Sequence, residues 1–143
     1  MNQVAILYPV FAQVLLTLAV YVLLMVARGR AMGAAAGQRG SGDIAMGRFA
    51  WPDDAEKRAH NQRNQFELPV LFYAVAAFAL LTKGVDATML ALAWAFAASR
   101  ILHAAIHIGP NKVRWRGPAF GLGFLIVTAM WVKLFLHVAF GAS

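Results

Sequence analysis

The chain has no cysteine, which excludes disulfides, thiolate metal sites and a cysteine nucleophile. It is also short of charge. Asp, Glu, Lys and Arg make up 13% of it, where a soluble domain carries about 25%. Acidic residues are scarcest, 6 Asp+Glu against 13 Lys+Arg, for a net charge of +7. The shortage of charge means that much of the surface faces something other than water. A basic balance in a soluble protein would point to nucleic acid. Here no segment is long enough to build a water-exposed basic surface interleaved with aromatics, so the sequence argues against a nucleic-acid partner.

What is present is apolar sequence in long runs, 61% of the 143 residues. The first run, about 4–27, has Gln13 and Thr17 as its polar interruptions. At ~1.5 Å per residue it covers a ~30 Å hydrocarbon core. It lacks the basic start of a cleaved signal peptide and is too long for one, so it reads as a retained helix. A Gly- and Ala-rich stretch without helical period follows, and residues 28–53 read as a long loop. Trp51-Pro52-Asp53-Asp54 then resembles a helix start, with Pro in the first turn and acidic residues at the positive end of the helix dipole. The second helix is predicted over 54–82, polar at first and apolar from Leu68. The turn Thr82-Lys83-Gly84-Val85-Asp86 makes the second and third helices antiparallel neighbours. The third is predicted over 87–108, stopped by Gly109-Pro110, and the fourth over 118–140, after Gly117-Pro118.

The expectation is therefore one domain over 1–143, an all-α integral membrane four-helix bundle. Arg28, Arg30, Arg39, Arg48, Lys57, Arg58, Arg63, Lys112, Arg114 and Arg116 fall on one side, and Lys83 and Lys133 on the other. The excess of Lys and Arg places the first side in the cytoplasm and both termini opposite it, which in a bacterial inner membrane is the periplasm.

Ionisable groups within such spans cost roughly 2.5–3.5 kcal/mol each at the centre, and they persist when paired, hydrated or functional. On the second helix, His60, Asn64 and Glu67 share one face, with Arg63 one turn before Glu67. On the third, Arg100, His103 and His107 share another. Pairing Arg100 with Glu67 across the two helices neutralises both and is the economical structural reading. His103 and His107 have a ligand spacing but no third partner, so no metal is expected. Lys112, Arg114 and Arg116 read either as topology signals for anionic lipid or as a carboxylate clamp. Lys133 and His137 read as side chains reaching the far interface. Arg28, the two faces and Arg116 come from four helices and lie toward the cytoplasmic half. Their convergence predicts a polar pocket suited to a small, charged, hydrophilic ligand.

The stretch RNQFELPVLFYAVAAFALL, the RILHAAIH of the third helix and the basic loop ending in Arg116 resemble the superfamily of membrane-associated proteins in eicosanoid and glutathione metabolism (MAPEG), across nearly the whole chain. Its members include microsomal glutathione transferases and microsomal prostaglandin E synthase. The resemblance implies a homotrimer of four-helix subunits with glutathione bound between neighbours on the cytosolic side, and a lipophilic second substrate arriving from the lipid. It carries the glutathione-binding roles to Asn64, Glu67, Arg100 and His103, with Arg28, Arg63 and His107 contributing, and the role of stabilising the thiolate to Arg116. It implies a glutathione-dependent transferase or peroxidase. A non-catalytic scaffold or lipid-binding protein on the same fold is the other reading. The chain departs from the family pattern at His107 and Phe120, where tyrosines are common, and at His60, often an arginine.

Overall fold

The computed structural model describes residues 2–34, 46–47, 49–109 and 113–141. The middle of the long loop, with Arg39 and Arg48, lies outside the described residues, as do Pro110 and Lys112. A short 3-10 turn, Gln3–Ile6, leads into α1, Leu7–Ala34. It is followed by α2, Asp53–Asn64, α3, Leu68–Leu81, α4, Ala87–Ile108, and α5, Val113–Phe140. The described residues are helical and contain no strand. Four helical units, Gln3–Ala34, Asp53–Leu81, Ala87–Ile108 and Arg114–Phe140, are long and apolar enough to cross a membrane.

Three boundaries differ from the sequence expectation. First, α1 continues beyond Ala27 to Ala34. Gly29 and Gly33 weaken a helix but leave its hydrogen bonds intact, so Arg28 sits on a helix and not in a loop. Second, the second span is two helices, α2 and α3, separated by a turn at Gln65–Glu67. The cause is Pro69, in the first turn of α3. It has no N–H to give the Gln65 carbonyl, and its ring would collide with that carbonyl in a continuous helix. Third, α5 begins at Val113 and carries Pro118 inside it. A proline that close to a helix start costs one backbone bond, to Arg114, and does not stop the helix.

The interior is filled by Phe72, Val75, Met89, Phe96, Val127 and Met130, all nearly inaccessible. Phe72 and Phe96 stack with centroids 4.5 Å apart. The outside is equally apolar: Leu15 is 66% exposed, Met25 67%, Phe135 67% and Leu81 76%. Each such side chain gains about 1.5–3 kcal/mol on leaving water, and a surface clad in them is a surface for lipid. The protein is a multi-pass integral membrane protein.

The end that carries Lys83 is tightly latched. Lys83 takes a left-handed backbone, φ 57°, so that its N–H and that of Gly84 close the end of α3 on Leu80 and Ala79. The Gln3 side chain donates to the Val85 carbonyl at 3.1 Å and accepts the Val85 N–H at 3.0 Å. Asp86 caps α4 by accepting the Met89 N–H at 2.8 Å. Lys133 donates to Asp86 at 2.6 Å, which holds that carboxyl below its ordinary range. Lys133 is thus an ion-pair partner and not simply a side chain reaching for the interface. His137 lies 3.0 Å from the Thr82 carbonyl.

Candidate functional site

The site begins with the way α2 is held. Its buried small residues Ala55 and Ala59 let it pack closely against α1. Farther along, Gln13 of α1 donates to Gln65 at 3.0 Å, and Gln65 donates to Asn61 at 3.5 Å. All three are buried. At the margin Gln62 donates to the Tyr21 hydroxyl at 2.9 Å. With Asn61 and Gln65 committed to the interior on the α1 side, His60 and Asn64 turn to the other face of α2.

The break after α2 frees backbone groups. Arg100, wholly buried on α4, donates to one of them, the Asn64 carbonyl, at 3.2 Å. Its Nε and Nη1 atoms have no hydrogen-bond partner among the described residues. Its guanidinium carbon lies 5.6 Å from the centre of the Phe120 ring, within cation–π range. The expected ion pair between Arg100 and Glu67 is not formed among the described residues. The physical reason is the Pro69 break. Glu67 belongs to the turn and not to the helix, so it leaves the phase of His60 and Asn64 and stays exposed, while a nearer carbonyl takes the guanidinium. Arg63 is likewise exposed and makes no ion pair with Glu67.

Three elements then enclose a cavity of about 340 Å³. Its lining is His60, Asn64 and Glu67 from α2 and the following turn, His103 and His107 from α4, and Arg116, Gly117 and Phe120 from the start of α5. The His103 ring lies 5.9 Å from Phe120 and 5.8 Å from His107. The wall is therefore a run of edge-on ring contacts through Phe120, His103 and His107, with Arg100 behind it. Five of the eight residues singled out from sequence meet in the lining: Asn64, Glu67, His103, His107 and Arg116. Arg100 supports the wall from inside. Arg28 and Arg63 stand apart from it. Arg28 lies over the Trp51 ring at 4.9 Å, with its Nε buried. No group of three His, Cys, Asp or Glu among the described residues is arranged to hold a metal ion.

The sequence reading missed Gly117, which opens the lining by having no side chain. It also missed the Gln13–Gln65–Asn61 chain behind α2. The signal for the first was the Gly-Pro pair, read only as a boundary. The signal for the second was Gln13 itself, a lone amide in an apolar run.

The cavity is chemically mixed. It offers one carboxylate, one guanidinium, one carboxamide and three imidazoles beside an aromatic face. Such a lining meets a small zwitterionic or anionic molecule by charge-assisted hydrogen bonds. Four helical units long and apolar enough to cross a membrane, three of them lining a polar cavity at the end that bears the basic residues, define a multi-pass α-helical membrane protein with a hydrophilic site. The chain belongs to the MAPEG family, whose sequence profile matches residues 6–136. That family includes glutathione transferases and peroxidases as well as other members. No curated protein and no solved structure matches the chain significantly.

Proposed function

We propose that the protein is a membrane glutathione- or thiol-dependent transferase or peroxidase acting on lipophilic electrophiles. The observation that carries this is the meeting of Arg116 with Glu67, Asn64 and three imidazoles in one cavity at the basic end of a MAPEG-family chain. Glutathione has two carboxylates and one ammonium. Guanidinium donors and the His103 imidazole suit the carboxylates, and Glu67 suits the ammonium. Arg116, beside the sulfur, favours the thiolate by its charge. In transfer, the sulfur electron pair forms a C–S bond as the leaving group departs with its own pair. In peroxide reduction, the thiolate attacks the O–O bond, giving an alcohol and a sulfenic acid, which a second thiol converts to disulfide and water. The electrophile partitions from lipid through the apolar surface beside Phe120. We read the working assembly as a homotrimer with its basic side in the cytoplasm. In that assembly Arg28 and Arg63, which stand outside the single-chain cavity, reach a neighbour's ligand.

The test is thermal unfolding of the detergent-purified protein with and without glutathione. Ligand at ~100 times its dissociation constant stabilises by about 2.7 kcal/mol, a rise of several degrees. Arg116→Ala should abolish most of that rise. A wild type that does not respond overturns the proposal. The scaffold or lipid-binding reading, favoured by the phenylalanine at 120, expects Arg116→Ala to change nothing and Arg100→Leu to disturb assembly.

A further inference from the structure

The cavity holds more imidazole than recognition of charge requires. His103 and His107 are 1% and 2% exposed, and the Nδ1 atom of each is buried with no hydrogen-bond partner among the described residues. That leaves Nε2 of each ring to meet a molecule in the cavity. His60 differs. Its side chain is 58% exposed, and its Nε2 lies 3.9 Å from a Glu56 carboxylate oxygen. One lining thus holds two enclosed imidazoles and a third that is exposed and lies near a carboxylate.

On the thiol reading above, on which this rests, we infer that His107 is the base that takes the thiol proton and that His60 passes it to solvent. A bound thiol must lose its proton before it attacks. Arg116 favours the resulting charge, but a guanidinium stays protonated and accepts nothing. Glu67 stands exposed on the turn, whereas His103 and His107 are enclosed in the wall, and imidazole is the side chain most often used as a general base. Between the two enclosed histidines, His103 packs its ring on Phe120 and stands next to Arg100 in the wall. The described ring contact of His107 is with His103 alone, and it lies one turn nearer the helix end.

In the step, the S–H bond breaks, its electron pair stays on sulfur, and an N–H bond forms at His107 Nε2. The imidazolium then gives that proton through cavity water to His60 and on to Glu56 or bulk water, which restores the neutral ring. The groups that face His107 are His60, Asn64 and Glu67 from α2 and its turn, Arg116 from α5, and Arg100 and His103 on its own helix. None of the cavity lining comes from α1.

The experiment uses the purified full chain with glutathione and a nitro-activated aryl chloride, followed over about pH 5 to 9. Thiolate absorbance and conjugation rate are both read, with binding followed separately by thermal shift. In the wild type both should rise through an ionisation in the imidazole range. At saturating glutathione, His107→Gln should lose about a hundredfold of the neutral-pH rate and rise only toward the thiol's own ionisation. In His107→Ala, imidazole added to the buffer should restore part of the rate. A wild-type profile with no ionisation in the imidazole range overturns the assignment without any variant. So does a His107→Gln protein that binds glutathione and keeps the wild-type profile. A wild type that binds no glutathione overturns the thiol reading and this assignment together.

Discussion

Gln13 is a lone carboxamide on a helix otherwise built for lipid, and its hydrogen bond to Gln65 at 3.0 Å ties α1 to the bent second span. Both side chains are 1% exposed, so neither has water to fall back on when the other is removed. An unsatisfied buried polar group costs about 1–3 kcal/mol, while cross-helix side-chain bonds in membranes measure ~0.6–2 kcal/mol. Gln13→Ala should therefore destabilise the protein by about 1–3 kcal/mol. A double-mutant cycle with Gln65→Ala, by denaturant unfolding in detergent, should return a coupling of ~0.6–2 kcal/mol. Zero coupling would mean that the two amides are satisfied elsewhere. Gln13 was visible in the sequence as an interruption. Its partner was not, because Asn61, Gln62, Asn64 and Gln65 are all plausible until the phase of the helix is known. Arg100 shows the same limit. The spacing with His103 and His107 put it correctly on an inward face, but its acceptor is a backbone carbonyl that exists as a free group only because the neighbouring helix breaks.

That break, at Gln65–Glu67, decides which residues the site receives. The reading of 54–82 as one helix took Leu68 as the point where a polar helix turns apolar and passed over Pro69, the residue that explains the change. At Gly117-Pro118 the error runs the other way: the pair reads as the point where the fourth helix starts, whereas α5 already begins at Val113 and runs through it. The asymmetry is physical. Pro118 sits close to the start of α5 and costs one bond, whereas Pro69 stands in mid-span, where its ring and missing N–H oppose a full helix on its N-terminal side. Restoring the N–H tests this. Pro69→Ala allows the Gln65 carbonyl a helical partner, so amide hydrogen exchange over 65–69 should slow as the turn winds into α-helix. Glu67 would then come into phase with His60 and Asn64, on the helix face that lines the cavity. Unchanged exchange over 65–69 would show that the side-chain ties to Gln13 and Arg100, and not the proline, hold the bend.

Over the whole molecule the two ends are built for different tasks. One is closed by the Gln3 bracket on Val85, the Asp86–Lys133 pair and the His137 contact with Thr82. The other carries the cavity, the broken span and nearly all the arginine. The four spans and their order were legible because the apolar runs are long and separated by Gly, Pro and charged breaks, and that signal survives errors of several residues at every boundary. The cavity's composition was legible from the polar residues that interrupt those runs. Its shape was not, since Arg28 and Arg63 share the depth of the site without sharing its lining. The charge division further predicts orientation, with the cavity end in the cytoplasm and the latched end outside. The absence of native cysteine makes this directly testable. A single cysteine at Lys83 or at Asp54, both on exposed positions, is the only thiol in its variant. In intact cells a membrane-impermeant maleimide should label Lys83→Cys and leave Asp54→Cys unlabelled until the membrane is opened. The reverse pattern would place the cavity outside the cytoplasm, away from the compartment where reduced thiols are held in excess. It would thereby count against glutathione as the ligand even if the cavity's chemistry suits it.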